Sequence, residues 1–215
     1  MSSVEDLVQT TEEIRIKLIG VGGAGCNTVN RLNSLGLTGV YTIAANTDLQ
    51  HLDMVRADKK ILLGKSVTRL RGAGGDPVRG RKAAEESEEE IRRALEGADI
   101  VFLAAGLGGG TGSGGIPVIA KLCKEELNVL TSAVVTLPFL MEGPLRQRKA
   151  LQALNELKNY VNSYIVIPNE RLLKNGNENL PLKEAFKKVD EVLFQAVKGI
   201  VNVIQKPQYV NVDFA

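Results

Sequence analysis

Residues 106–115 read GLGGGTGSGG: seven glycines, one threonine and one serine in ten positions. The run lies between DIVFLAAG (99–106), an apolar stretch of strand length, and IPVIAKLCKEEL (116–127), an amphipathic stretch of helix length. Glycine in a regular element costs roughly 0.5–1 kcal/mol relative to alanine, so a run this dense needs a physical return. A flexible linker has no place between two packed elements. A strand, a glycine loop and then a helix make an anion cradle instead. The helix amino terminus offers unpaired amides and partial positive charge, and glycines let those amides approach an anion without an intervening Cβ. Thr111 and Ser113 add hydroxyl donors.

Outward from this stretch, strands and helices alternate. IRIKLIGV (14–21), GVYTIAANTD (39–48), KKILLG (59–64), NVLTSAVVTLP (128–138) and SYIVIP (163–168) read as further strands. Helices are expected over 26–35, 78–98, 144–161 and 181–205, with a long glycine-rich connection over 64–78. Alternation at crossover spacing predicts an α/β fold, a Rossmann-like three-layer parallel sheet with helices on both faces. Ligands of such sheets sit at the carboxyl ends of the strands. The polar and glycine-rich segments all fall at that edge.

Two more glycine loops lie there. GVGGAGCN (20–27) has Gly-x-Gly-x-x-Gly spacing through Gly20, Gly22 and Gly25, follows a strand and opens a helix, with Asp48 after the second strand. Alone, it fits a dinucleotide oxidoreductase as well as another phosphate ligand. Two such loops at one edge suggest a longer polyphosphate held from two sides. RGAGGDP (71–77) either closes over a terminal phosphate or is a mobile surface loop; long connections are often functional. GKS (64–66) has the ending of a Walker A loop, but Lys59 stands where that motif needs glycine, and no helix is expected directly after it.

Composition narrows the class. The 215 residues are 44% hydrophobic and 24% charged, enough for one sizeable core. A formal net charge of +2 creates no general field toward nucleic acid or acidic membrane. Aromatics at 4% and the absence of Trp argue against a base-stacking surface. Cys26 and Cys123 are the only cysteines, which fits a reducing compartment and two buried small residues rather than a disulfide framework or zinc site. The start, MSSVEDLVQTTEE, is unlike a signal peptide, and no apolar run approaches a membrane span. A cytoplasmic domain is expected, with no nucleic-acid partner and no membrane insertion. His51 is the only histidine, which disfavours histidine-dependent triads and places it at the surface near the pocket. The charged run 79–96 reads as a solvated helix face supported by Glu88–Arg92 and Glu89–Arg93 pairs.

The last helix carries the other end of the site. Its apolar positions cover an arc of about 200° at 100° per residue, whereas one packing face needs roughly 100°. Two partners are implied, with Phe194 and Val201 as candidates for the second face. Asp190 lies inside that arc, one turn after Phe186, as either a paired structural acid or a ligand group. As a ligand pair they suit guanine: the ring stacks, and the acceptor-only carboxylate takes the N1 and N2 donors that adenine lacks.

Together these stretches resemble the FtsZ/tubulin family of assembling GTPases, in its archaeal or bacterial FtsZ form. GGGTGSG (108–114) is the family's signature loop, and agreement continues in order through GVGGAG (20–25), NTD (46–48), GAGGDP (72–77), TLPFLMEG (136–143), IPNE (167–170) and NVDFA (211–215). The resemblance implies that GTP or GDP, accompanied by Mg²⁺, is the ligand. It gives the phosphates to Gly22, Gly23, Ala24, Gly25, Cys26 and Asn27 on one side. Gly109, Gly110, Thr111, Gly112 and Ser113 hold them on the other. Gly72, Ala73, Gly74 and Gly75 would cover the terminal phosphate. Glu142 would bind ribose with Arg146 and Pro138 nearby, and Asn169, Phe186 and Asp190 would recognise guanine. Asn46 and Asp48 would line the pocket at a subunit junction. On residues alone, Glu142 and Arg146 are equally an i,i+4 surface pair, and Asn169 a helix cap.

The resemblance also implies self-assembly head to tail, with the active site shared between neighbouring copies. The family pattern Asn-Val-Asp-Phe-Ala-Asp supplies the acids that position water; Asp213 is present here, and the sequence stops at Ala215. The expected organisation is a flexible segment 1–12, a GTP-binding domain 13–180, a long central helix 181–206 and the start of a catalytic loop 207–215. On this reading the family's smaller carboxyl-terminal domain is expected to be absent, together with the regions that meet division-site partners. Such a truncated chain is expected to bind nucleotide and hydrolyse it poorly. A NAD-dependent oxidoreductase using only the Gly20–Gly25 loop, and a non-catalytic module keeping nucleotide as a structural cofactor, are the competing readings.

Overall fold

Six parallel strands form one sheet in the order β3-β2-β1-β4-β5-β6. They are Ile16–Val21 (β1), Val40–Asn46 (β2), Lys59–Leu62 (β3), Ile100–Gly106 (β4), Leu130–Leu137 (β5) and Ser163–Pro168 (β6). The computed structural model describes residues 14–36, 38–173 and 180–205. The expected flexible segment 1–12 and the loop 207–215 with Asp213 lie outside the described residues.

Near-continuous apolar runs become strands because both faces of this sheet are covered. Ile19 and Val21 point to one face, where they pack with Ile43, Leu103 and Val135. That face is covered by Pro77–Glu86 (α4), Glu88–Leu95 (α5), Thr111–Glu125 (α6) and Pro144–Leu157 (α7). Leu18 and its alternating partners Ala44, Phe102, Ala104 and Val134 point to the other. There Gly22–Ser34 (α1), Leu49–Met54 (α2) and the long helix Leu182–Gln205 (α8) close the second core. A short helix, Lys65–Thr68 (α3), completes the set. The three-layer expectation holds.

Several local expectations do not. The glycine stretches run on into the helices: α1 begins at Gly22 rather than Cys26, and α6 at Thr111 rather than Ile116. Pro117 sits inside α6. Low helix propensity is overridden there by packing. A Cβ at Gly114 would lie 2.1 Å from the Pro77 carbonyl oxygen and 2.5 Å from the Arg81 nitrogen, so α4 and α6 touch backbone to backbone. The expected helix 78–98 breaks at Ser87, whose Oγ accepts from the Gly64 N–H at 3.0 Å. Helix α3 does follow Gly64 directly, contrary to the reading of GKS, although Lys59 still lies outside the Walker pattern. Glu89 takes both Arg92 and Arg93, where Glu88–Arg92 was one expected pair. Phe194 and Val201 are buried on the sheet side of α8 and belong to its first packing face, with the Arg31 guanidinium 5.1 Å over the Phe194 ring. Leu182, Phe186 and Val203 are the exposed large apolar residues of this helix.

Two outcomes follow for stability. Gly114→Ala forces a Cβ into backbone and should cost about 1–3 kcal/mol or more. Gly199→Ala, in α8 with nothing within 4 Å of the added atom, should stabilise by up to about 1 kcal/mol. Chemical denaturation of both variants checks the contrast, and equal effects would refute it. The Arg15 backbone N–H and guanidinium donate to Asp99 and hold its carboxyl down to about 2. A depressed carboxylate stabilises above its unfolded pKa of about 3.9 and loses that contribution as pH falls through the folded value. Asp99→Asn should therefore flatten the acid limb of the stability–pH curve between about pH 4 and 2, and urea midpoints that stay parallel to wild type would contradict this.

Candidate functional site

β1 and β4 are neighbours, but their connections leave on opposite faces, β1 into α1 and β4 into α6. This is the switch point at which doubly wound sheets open a crevice. Both helices start there without help: neither Val21 nor Gly110 gives a side-chain cap, and neither first turn holds an acid. The two amino termini abut, since a Cβ on Gly22 would lie 3.0 Å from the Gly112 nitrogen. Uncapped amides and two positive helix ends therefore face one space. Gly108, at φ +101°, turns the chain into that space and donates its N–H to Ser113 Oγ at 2.8 Å. Ser113 is buried, and its hydroxyl oxygen shapes the loop.

The cleft above these helices has a volume of about 260 Å³. Gly23, Ala24, Gly109, Gly110, Thr111 and Gly112 line one end; Asn169, Phe186 and Asp190 line the other, with Pro138, Glu142 and Arg146 also in the lining. Gly106, Leu107, Thr136 and Val189 line it too and were not anticipated. A larger cleft of about 640 Å³ lies elsewhere, against Lys17, Tyr41, Lys59, Glu89 and Arg93. It sits at the amino ends of the strands and has no glycine loop, so the smaller cleft is the one with binding chemistry.

The third glycine loop is docked. Gly72 N–H donates to Thr47 O at 3.0 Å, Asp48 bridges to Arg71, and Lys149 Nζ donates to Gly75 O at 2.6 Å. Ala73 is buried, and its Cβ would lie 2.8 Å from a Cβ on Gly110. Thr47 and Thr111 share a hydroxyl contact of 2.6 Å. Gly74 and Gly75 stay exposed beside this contact.

Gly22, Gly25, Cys26, Asn27, Asn46, Asp48, Ser113 and the loop Gly72–Gly75 are expected site residues that do not line the cleft. Gly25 packs against the Ala104 carbonyl and Gly20. Cys26 faces the core, its Sγ donating weakly to Gly20 O and Ala45 O, and burial pushes its thiol up to about 12. Asn46 is buried under the loop, and Asp48 caps α2 by accepting from the His51 N–H.

At the far end, Asn169 is 4% exposed, and its Oδ1 has no hydrogen-bond partner among the described residues. A buried acceptor left open costs about 1–3 kcal/mol, which a ligand donor would recover. Phe186 meets Phe139 edge-on, centroids 5.5 Å apart, and is 38% exposed. Asp190 Oδ2 accepts from Asn27 Nδ2 at 2.9 Å. Burial raises the Asp190 carboxyl above its ordinary pKa, opposed by the Asn27 hydrogen bond and by the nearby Arg31 charge. Glu142 accepts from the Phe139 N–H and pairs with Arg146, with its own side chain nearly covered. His51 is half-buried rather than a surface residue, and is hydrogen-bonded to Asn27 and Asn46. A lone histidine one turn into an unforeseen helix gave no periodic or motif signal.

Comparison with known proteins agrees with this fold. Residues 15–177 match the tubulin/FtsZ family, GTPase domain. Cell division protein FtsZ 1 of Pyrococcus furiosus is 54% identical over 212 residues, covering 98% of this chain and 56% of that protein. Cell division protein FtsZ of Aquifex aeolicus is 49% identical over 201 residues, covering 94% and 54%. The chain thus spans a little over half the length of these curated relatives. Among solved structures, the empty FtsZ dimer of M. jannaschii aligns with a TM-score of 0.90 at 51% identity, over 98% of this chain and 60% of that one. CetZ2 from Haloferax volcanii, solved as a GTPγS-bound protofilament, aligns with a TM-score of 0.80 at 27% identity, over 92% and 61%. The chain belongs to the tubulin/FtsZ family, matched through its GTPase domain.

Proposed function

We propose that this chain binds GTP and GDP in the cleft between α1 and α6, and that GTP is hydrolysed when copies assemble head to tail. One observation carries the reading: the cleft offers open donors at one end and open acceptors at the other. The uncapped amides of Gly23 and of Gly109 to Gly112 suit phosphates. Asn169 Oδ1 and the second oxygen of Asp190 suit a base edge that donates, as guanine N1–H and N2–H₂ do and adenine does not. Phe186 offers an exposed ring for stacking.

The remaining roles follow from position. The docked loop Gly72–Gly75 would sit over the terminal phosphate, and Glu142 with Arg146 beside the ribose. The described residues hold no cluster of three or more His, Cys, Asp or Glu. Mg²⁺ would be carried by the phosphates and their waters, with the Thr111 hydroxyl in the cleft lining beside them. When bound, the ion would neutralise charge on the phosphates. The chain's own contribution is electrostatic: two fixed helix amino termini aimed where negative charge gathers. Asp213, outside the described residues, would reach the neighbour's nucleotide and position water. Such a heterologous contact does not close and so extends into filaments. The GTPγS-bound protofilament of CetZ2 supports this. Among the described residues no helix is long and apolar enough to cross a membrane, and a cytoplasmic setting is part of the proposal.

Titrating nucleotide-stripped protein with GTP, ATP and NADH in the presence of Mg²⁺ tests the ligand. GTP alone should bind tightly, and Asp190→Ala should erode its advantage over ATP by about tenfold or more. Equal binding of all three, or preference for NADH, would sink the guanine reading. A shared site also predicts that GTP turnover per chain rises with chain concentration. A rate unaffected by dilution would contradict it.

A further inference from the structure

Four polar side chains from four elements form one hydrogen-bonded line behind the cleft. Asn46 ends β2, His51 lies on α2, Asn27 on α1 and Asp190 on α8. Asn46 Nδ2 meets His51 Nδ1 at 2.9 Å, His51 Nε2 meets Asn27 Oδ1 at 3.0 Å, and Asn27 Nδ2 meets Asp190 Oδ2 at 2.9 Å. The imidazole lies against the cleft floor, its Cε1 3.9 Å from where a Cβ on Gly23 would be.

The direction of every bond in this line is fixed from its ends. Asn46 Oδ1 accepts from the Thr47 backbone N–H at 2.8 Å, so the Asn46 amide must turn its NH₂ toward His51. His51 Nδ1 is then an acceptor, and the ring proton is on Nε2. Nε2–H donates to Asn27 Oδ1, so Asn27 must turn its NH₂ toward Asp190. The opposite flip would set an amide oxygen against a carboxylate. Asn27 thus occupies Oδ2, and Oδ1 of Asp190 makes no hydrogen bond among the described residues while Asp190 lines the cleft.

We propose that His51 is a positioning residue for base recognition: as the neutral Nε2–H tautomer it locks the Asn27 amide, and through it holds the Asp190 carboxylate with one oxygen presented to the donor edge of the purine. The inference rests on the guanine reading of the cleft and adds the residue on which its specificity depends. Without the imidazole, Asn27 is free to flip and Asp190 to rotate, so the loss falls on base discrimination rather than on phosphate binding. His51 touches neither base nor phosphate in this role.

His51 is the only histidine, so ¹⁵N-histidine labelling of the full chain reports its tautomer without assignment. Long-range ¹H–¹⁵N spectra of nucleotide-free protein at pH 8 should show a bare Nδ1 and a protonated Nε2, and Asn27→Ala should mix the tautomers. Affinities for GDP and IDP, which lacks the 2-amino group, then test the role. His51→Ala should lower the GDP-over-IDP preference about three- to tenfold, with a smaller loss for IDP, which keeps N1–H, and an unchanged urea midpoint certifies the fold. An Nδ1–H tautomer in wild type, an unchanged preference, or an equal loss for both nucleotides would overturn the proposal. Failure of wild type to prefer GDP would instead overturn the guanine reading itself, whatever the tautomer.

Discussion

The structure depends on backbone meeting backbone where β1 and β4 end. A Cβ on Gly112 would lie 2.4 Å from the Gly106 carbonyl oxygen, and one on Gly114 2.1 Å from that of Pro77. No other residue type allows α6 to start so close to β4 and α4. The approach sets the helix against the start of α1, and the two amino termini share one space. Each helical glycine costs up to about 1 kcal/mol in propensity, and packing on a fully buried face offsets it. The glycines of this run therefore have two uses. Those at alternate positions permit contact with neighbouring backbone, while Gly109, with nothing within 4 Å of an added Cβ, leaves the cleft open.

Charge in this protein acts locally. A net charge of +2 over 215 residues gives no global field, and attraction for an anion comes from fixed dipoles. Neither helix start is neutralised by a cap or a first-turn acid. The acid that matters, Asp190, stands at the other end of the cleft, where a phosphate would be repelled and a donating base edge accepted. On the proposed reading, opposite polarity at the two ends would orient a nucleotide before any side chain closes on it. The two cysteines take no part: burial pushes both thiols up to about 12, which keeps them protonated and unreactive.

Patterns carried by neighbouring residues were legible in the sequence. Strands appeared as apolar runs, the switch-point loops as glycine clusters, and one end of the cleft as Phe186 and Asp190 one helical turn apart. The start of α1 and of α6 was not, because propensity places glycine outside helices and only contact with another backbone reverses that. Helix α2 was missed because LQHLDM is too short to show a period; its cap, Asp48, read as a pocket residue. Phe194 and Val201 were assigned to the wrong side of α8, since an apolar arc does not tell which part faces which neighbour.

The sequence by itself determined the three-layer parallel sheet, the edge at which the glycine loops gather and the residue types available there, because these follow from periodicity and from glycine's missing side chain. Tertiary structure alone decided which of those residues share a surface. It turned Cys26 into the core, used Ser113 and Asp48 to hold loops and helices, and left Asn169 with an open acceptor. It also joined Asn46, His51, Asn27 and Asp190, whose outermost members are 163 positions apart in the chain, into one line. Hydrogen bonds between distant segments have no local signature: their partners are set by where the sheet order brings the elements, and sheet order is a property of the whole chain.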